Sequence, residues 1–334
     1  METVKLYLEK AKPARKQSFE NLTIFPLLAP DGQEPDYLTL EQAIDSDMIR
    51  ITELEGGANV PELKLVNRGT QSVLIIEGEE LVGAKQNRIV NASFLVAGKT
   101  EVVLPVSCVE QGRWHYDTNE FASGKRMMHP SLRRQHQQDV KSSLDRGEGY
   151  CSDQGRIWDD IAEKSSRMQV HAPTGAMAAV FESCKGRLSE YLNAFHRIDW
   201  QVGAVFAING EILGLECFGY ADTLTRFFEK LVQSYALDAL DSPTEQPQKS
   251  VPPNAAERFV KAVGKSRGQR HPSLGLGENL TFESRTVSGA ALLEKGRVLH
   301  LSAFKKEAGN GSAGVKYTRY SQRRSRRAPT AIFD

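Results

Sequence analysis

The chain has 334 residues, 40% hydrophobic and 25% charged, enough apolar material for one large or two ordinary domains with a core. Its 43 Lys+Arg nearly balance 42 Asp+Glu, leaving a net charge of +1, which argues against whole-molecule attraction to nucleic acid or an anionic membrane. No signal peptide or membrane-spanning run is read, and Cys108, Cys151, Cys184 and Cys217 form no C-x-x-C pair, so the expectation is a soluble cytoplasmic protein with reduced thiols.

The first third reads as β-rich. Short runs of Val, Ile and Leu at Leu22–Leu27, Met48–Thr52, Leu63–Asn67, Ser72–Glu77, Arg88–Val96 and Glu101–Glu110 are separated by turn signals such as Glu55-Gly56-Gly57 and Ala97-Gly98-Lys99. Without a helix between each pair they predict a sandwich-like sheet, not βαβ units. One short helix, Leu38–Asp45, is predicted to start near Thr39, with Gln42 three residues on to complete a capping box.

The middle third changes character. Phe121–Arg146 is polar, basic and poor in β-branched residues, and reads as a helix on the surface or over a site as a lid. Ser152 or Asp153 caps a helix through Met168, with Ile157, Trp158 and Ile161 on one face, and Thr174 caps a third through about Phe195. Gln201–Phe218 then places two apolar runs about Asn209-Gly210, a strong hairpin signal.

A helix over Ala221–Leu240 follows, with Leu224, Phe227, Phe228, Leu231 and Tyr235 on a broad apolar face. Asp241–Pro253 is turn-rich and predicts a loop or linker. Leu280–Arg285, Ala290–Glu294 and Val298–Phe304 predict closing strands, with a hairpin at Lys295-Gly296. The tail from Glu307 is rich in Gly, Ser and Arg and predicts disorder. The expected fold is α+β: an N-terminal β-sandwich-like antiparallel sheet, a helical middle section, and C-terminal hairpins packing back on it. Residues 1–306 form one domain in this reading, with lobes 1–118 and 119–306, and 307–334 form a flexible basic tail.

Ile76–Trp114 carries the most chemistry, because it is dense in polar residues inside β-like sequence. If the chain is extended through Glu80, period-two alternation puts Glu77 and Glu79 on one face. The same rule puts Cys108 and Glu110 with Leu104 and Val106. A carboxylate at the margin of an apolar face has its pKa raised by burial, which suits proton transfer near neutral pH. Glu79 or Glu80 with Glu110 then makes a candidate acid/base pair of the kind that cleaves glycosidic bonds. Cys108 is a candidate nucleophile that lacks a base in sequence, since His115 falls on the opposite face.

Lys85, Gln86, Asn87 and Arg88 place cations and amide forks beside these acids. Arg88 or Arg113 suits a phosphate or carboxylate, Gln86, Asn87 and Gln111 suit hydroxyls or a base edge, and Trp114 suits a ring. Against this stands a plain alternative, in which the acids are a solvated strand end paired with Lys85 and Arg88 and the thiol is inert.

The blocks GEELVGAKQNRIVN, LPVSCVEQGRW, SDQGRIWDDI, GAVFAINGEILGLECF and FFEKLVQSYALDAL resemble a bacterial family, the ARG-and-rhodanese-phosphatase-superfamily-associated protein domain, from about Phe19 to Phe304. That family's name records association with ADP-ribosylglycohydrolase and rhodanese-phosphatase domains. The resemblance therefore implies a role around NAD-derived or nucleotide ligands. It singles out Glu79, Glu80, Lys85, Gln86, Asn87, Arg88, Cys108, Glu110, Gln111 and Trp114 as candidates.

Other chemistries find little footing. The seven histidines are dispersed, and no phosphate loop, dinucleotide fingerprint or G-x-S-x-G elbow is present, so no metal and no cofactor is expected. Arg323-Arg324-Ser325-Arg326-Arg327 is the one charge cluster, and nucleic-acid contact is expected only through it. The leading expectation is a binding or accessory module for a small nucleotide- or ADP-ribose-like ligand, with no membrane partner. The alternatives are a hydrolase using paired carboxylates and a scaffold acting through its helices and tail; oligomeric state is not legible.

Overall fold

A computed structural model describes residues 1–29, 33–54, 61–243, 250–252 and 254–306. The loop predicted at Asp241–Pro253 falls mostly outside the described residues, and the basic tail falls wholly outside them. Helix α1 (Glu2–Lys10) leads into β1 (Lys12–Pro13), β2 (Gln17–Phe19) and β3 (Leu22–Leu28). After β4 (Tyr37–Thr39), α2 (Leu40–Asp45) opens with the capping box expected at Thr39 and Gln42. Strands β5 (Ile49–Glu53), β6 (Glu62–Asn67), β7 (Ser72–Ile75), β8 (Glu79–Gly83), β9 (Arg88–Val90), β10 (Phe94–Val96), β11 (Thr100–Cys108) and β12 (Phe121–Met127) complete the N-terminal part.

These strands form two sheets, in the orders β12-β8-β9-β11-β6-β5 and β10-β7-β4, with β4–β7 a parallel pair. Their inner faces meet as a sandwich: Val73, Ile75, Phe94 and Val96 pack with Leu65, Leu81, Leu104 and Val106. The single strand predicted over Arg88–Val96 is thus two strands in different sheets. Asn91 sits at the crossing, its side chain donating to the Tyr150 carbonyl (2.8 Å) and accepting from Ser107 Oγ (2.8 Å).

Four helices follow: α3 (Pro130–Asp145), α4 (Gln154–Arg167), α5 (Met177–Ser183) and α6 (Lys185–Ala194). Two expectations are corrected here. The polar stretch from Phe121 starts as strand β12, paired with β8, and becomes helical only at Pro130, whose fixed φ suits a first helical position. Helix α3 is no lid: Arg133, His136 and Gln137 are buried. The helix predicted from Thr174 begins at Met177 and breaks at Cys184, and Thr174 caps nothing.

The hairpin β13 (Gln201–Ile208) and β14 (Glu211–Phe218) turns at Asn209-Gly210, both at positive φ as a tight hairpin turn requires. Helix α7 (Ala221–Asp241), α8 (Ala255–Gly264) and strands β15 (Arg267–Pro272), β16 (Glu278–Glu283), β17 (Val287–Glu294) and β18 (Arg297–Lys305) end the described chain. The C-terminal hairpins join the N-terminal strands in a nine-stranded sheet, β1-β3-β13-β14-β18-β17-β16-β15 with β2 on β3. Every residue of β13 is buried because both faces are covered. Ala204, Phe206 and Ile208 face α7, and Val205 and Ala207 face the cluster shared with α1 and α8. The fold is α+β with antiparallel sheets, β4–β7 being the one parallel pair among the described residues. Among the described residues no helix is long and apolar enough to cross a membrane.

Candidate functional site

Strand β7 stops at Ile75, and the chain turns at Gly78 (φ +81) before β8 begins. The strand predicted to run through Glu80 is therefore interrupted, and Glu77 and Glu79 do not share a face of it. Glu77 accepts hydrogen bonds from Gln137 Nε2 (2.9 Å) and Ser302 Oγ (2.5 Å). Glu79 accepts from the Ile76 N–H (3.0 Å) and from Lys230 Nζ (3.0 Å), which also pairs with Glu41 (2.9 Å). Glu80 points elsewhere, to Arg126 Nη1 at 3.1 Å, and Arg126 in turn bridges to Glu182. All three carboxylates are buried, each with its own partners.

Glu80 is the unusual one. Burial pushes its pKa up to about 7; Arg126 opposes the rise, and Glu110 and Glu182 add to it. Its carboxyl therefore exchanges a proton near neutral pH. One of its oxygens, Oε1, is buried without a hydrogen-bond partner.

Glu110 is engaged on every side. It accepts from Arg113 Nε (2.8 Å), the Asn87 N–H (3.2 Å) and Thr174 Oγ1 (2.9 Å). Arg113 spends the rest of its fork on the Ala84 carbonyl (2.6 Å) and Asn87 Oδ1 (2.9 Å), with Asp117 at 3.1 Å. The two residues clamp the β8–β9 turn to the segment after β11. Gly112 lets the Thr174 backbone approach the segment after β11, because a Cβ there would lie 2.9 Å from Thr174 Cα.

Arg88 is fully buried, with Nη1 donating to Gln86 Oε1 (3.0 Å) and Nη2 3.6 Å from Glu53; its Nε and Nη2 make no hydrogen bond. It stands opposite Cys108 in the β9–β11 ladder. Burial raises the Cys108 thiol to about 11, against the pull of Arg88, so it is neutral at pH 7. Gln154 holds the Cys108 backbone from both sides at 2.7 Å. Gln111 is exposed, and its carbonyl accepts from Gln86.

At the surface of this clamp Lys85 Nζ lies 5.2 Å from the ring centroids of both Trp114 and Tyr116. The rings keep 52% and 54% of their surface in solvent. Trp114 and Lys85 thus come together, with Tyr116 as a third member that the sequence reading did not single out. Arg88 and Trp114 do not share a surface, since one is interior and the other exposed. Glu79, Glu80 and Glu110 likewise occupy separate partner sets.

A second polar centre was not read from the sequence. Arg133 of α3 and Glu216 of β14, both without exposure, form a buried ion pair that Tyr235 Oη joins by donating to Glu216 (3.1 Å). His300 Nε2 lies 3.5 Å from the other Glu216 oxygen, and its Nδ1 meets Ser93 Oγ at 2.8 Å. Beside them Glu77, Ser93, Gln137, His300 and Ser302 line a small cavity of about 20 Å³, room for one water. The signal was there. Glu216 and His300 interrupt apolar strands at inward positions, and Leu132, Arg133, His136, Gln137 and Val140 form a helical stripe. Among the described residues no group of three or more His, Cys, Asp or Glu is placed to hold a metal ion.

The family model of the ARG and Rhodanese-Phosphatase-superfamily-associated Protein domain matches residues 10–304. The chain belongs to that family. No curated protein and no solved structure matches it.

Proposed function

We propose that this member of the ARG and Rhodanese-Phosphatase-superfamily-associated Protein domain family is a cytoplasmic binding module for a small anionic ligand with a flat ring, nucleotide- or ADP-ribose-like, held by Lys85, Trp114 and Tyr116. The observation that carries the reading is one ammonium seated between two half-exposed aromatic rings on a pinned loop. An aromatic face takes a base by stacking, worth about 1–3 kcal/mol. The ammonium offers a point charge to a phosphate. The Glu110–Arg113 clamp fixes the loop before a ligand arrives, which lowers the ordering cost of binding. Arg88 and Gln86 support the loop from below in this reading and do not touch ligand. The cytoplasmic placement is supported by four free cysteines, one of them exposed.

The test is calorimetric titration with ADP-ribose, AMP and ribose 5-phosphate. AMP and ADP-ribose are expected to bind, ribose 5-phosphate at least tenfold more weakly for want of a base, and Trp114→Ala and Lys85→Ala are each expected to weaken binding tenfold or more. Absence of binding, or binding indifferent to both substitutions, overturns the reading. A second reading, hydrolysis by paired carboxylates, is favoured by the raised pKa of Glu80. It is weakened by the full engagement of Glu110. Turnover of ADP-ribose that disappears in Glu80→Gln would decide for it.

A further inference from the structure

Helices α1 and α8 lie side by side on the outer face of the nine-stranded sheet, each anchored by its apolar stripe. Val4 and Leu8 of α1 and Ala256, Phe259 and Val263 of α8 enter the same cluster with Val205 and Leu215 of the sheet. Between the two helices and β1 runs a groove of about 350 Å³, within the size range of small-molecule sites.

Its floor is apolar: Leu8, Ala11, Pro13 and Val260 line it. Its rim is cationic: Lys5, Lys12, Lys261 and Lys265, all exposed, outnumber Glu9 and Glu257 by two to one. None of the four lysine ammonium groups has an ion-pair or hydrogen-bond partner among the described residues. Lysines elsewhere on the surface commonly do, as in Lys64–Glu101 (2.9 Å), Lys141–Asp145 (2.7 Å) and Lys305–Glu211 (3.0 Å). On a chain of net charge +1 this concentrates unmatched positive charge beside an apolar trough. Lysine stems can line such a trough while their ammonium heads stay in water.

We propose that this groove binds an amphiphilic anion, an alkyl chain lying on the Leu8–Val260 floor with its carboxylate among the rim lysines. The site is separate from the Trp114 platform and stands or falls independently of it. Gly264 offers a direct probe. It lines the groove, and a Cβ added there meets only Lys5 atoms, at ordinary contact distance of 3.9 Å.

The test is titration of the full chain with decanoate and octanoate, followed by calorimetry. One decanoate per chain is expected. Octanoate is expected to bind about fifteenfold more weakly, since each buried methylene contributes roughly fourfold. Lys12→Glu/Lys261→Glu is expected to weaken decanoate binding at least tenfold, and Gly264→Leu to abolish it, with melting curves of both variants unchanged. Decanoate affinity that ignores chain length, or that survives both variants, overturns the proposal, as does absence of decanoate binding to the unmodified chain.

Discussion

Glu80 and His136 are two buried titratable groups with opposite consequences. Burial raises Glu80 to about 7 and, with help from Arg133, lowers His136 to about 3. The folded chain therefore holds an extra proton on Glu80 above pH 4.5, and its stability falls as pH rises from there to about 7. At His136 the folded chain lacks a proton that the unfolded chain binds, so stability is lost as pH falls from 6.5 toward 3. Between 4.5 and 6.5 the two slopes oppose each other. Glu80→Gln removes one of them. Relative to the wild type, its unfolding free energy is expected to rise by about 1.4 kcal/mol per pH unit between pH 4.5 and 7. Urea midpoints at pH 5, 6 and 7 measure this, and parallel curves for the two proteins would place Glu80 in water.

At the scale of elements, α3 shows what a sequence reading catches and what it loses. A helix was legible, though read from Phe121 and not from Pro130, and its polarity suggested a surface. It lies instead between the sandwich and the nine-stranded sheet, and three of its buried polar groups meet partners distant in sequence: Arg133 with Glu216, Gln137 with Glu77 and Ser302, His136 with Asn91. Such pairings are set by tertiary packing and leave no local trace. Both hairpin turns, Asn209-Gly210 and Lys295-Gly296, and the Thr39 cap, being local, were read at their correct residues; Asp153 was one of two candidates for its helix, and the cap read at Thr174 was wrong. Helices α1 and α8 and strand β15 were not read at all. The candidate residues of the clamp were found by type, while their separation into core and surface was not, because period two fails where Gly78 breaks the strand. For α3 itself, Arg133→Met is expected to cost about 3–5 kcal/mol, since it leaves Glu216 buried with its charge unmatched. Adding Glu216→Leu is expected to restore at least 2 kcal/mol of that. Equilibrium denaturation of Arg133→Met, Glu216→Leu and the double variant measures the cycle, and simple additivity would show that the charges do not interact.

At the scale of the whole molecule, ion pairs bind the N-terminal sandwich to the helices and the long sheet. Lys230 of α7 holds both Glu79 and Glu41, and Lys164 of α4 meets Asp238 of α7 at 2.7 Å. With Glu77 bonded to Ser302 of the nine-stranded sheet, the parts share one network. Unfolding is expected as a single transition, with far- and near-ultraviolet dichroism coinciding in urea. Lys230→Met is expected to lower stability by about 3 kcal/mol without splitting it. Two separate transitions in the wild type would mean that the sandwich folds alone.

The turn at Gly78 has a consequence for how the chain can vary in length. Glu77, Glu79 and Glu80 leave it toward different partners, and a methyl group on Gly78 would come within 2.9 Å of Arg133 Cδ. Adding or deleting one residue there would rotate β8 by half its repeat and present every acid to the wrong neighbour. Gly147 and Gly149 have nothing within 4 Å of an added Cβ, and a tag or reporter inserted there leaves the pairings intact.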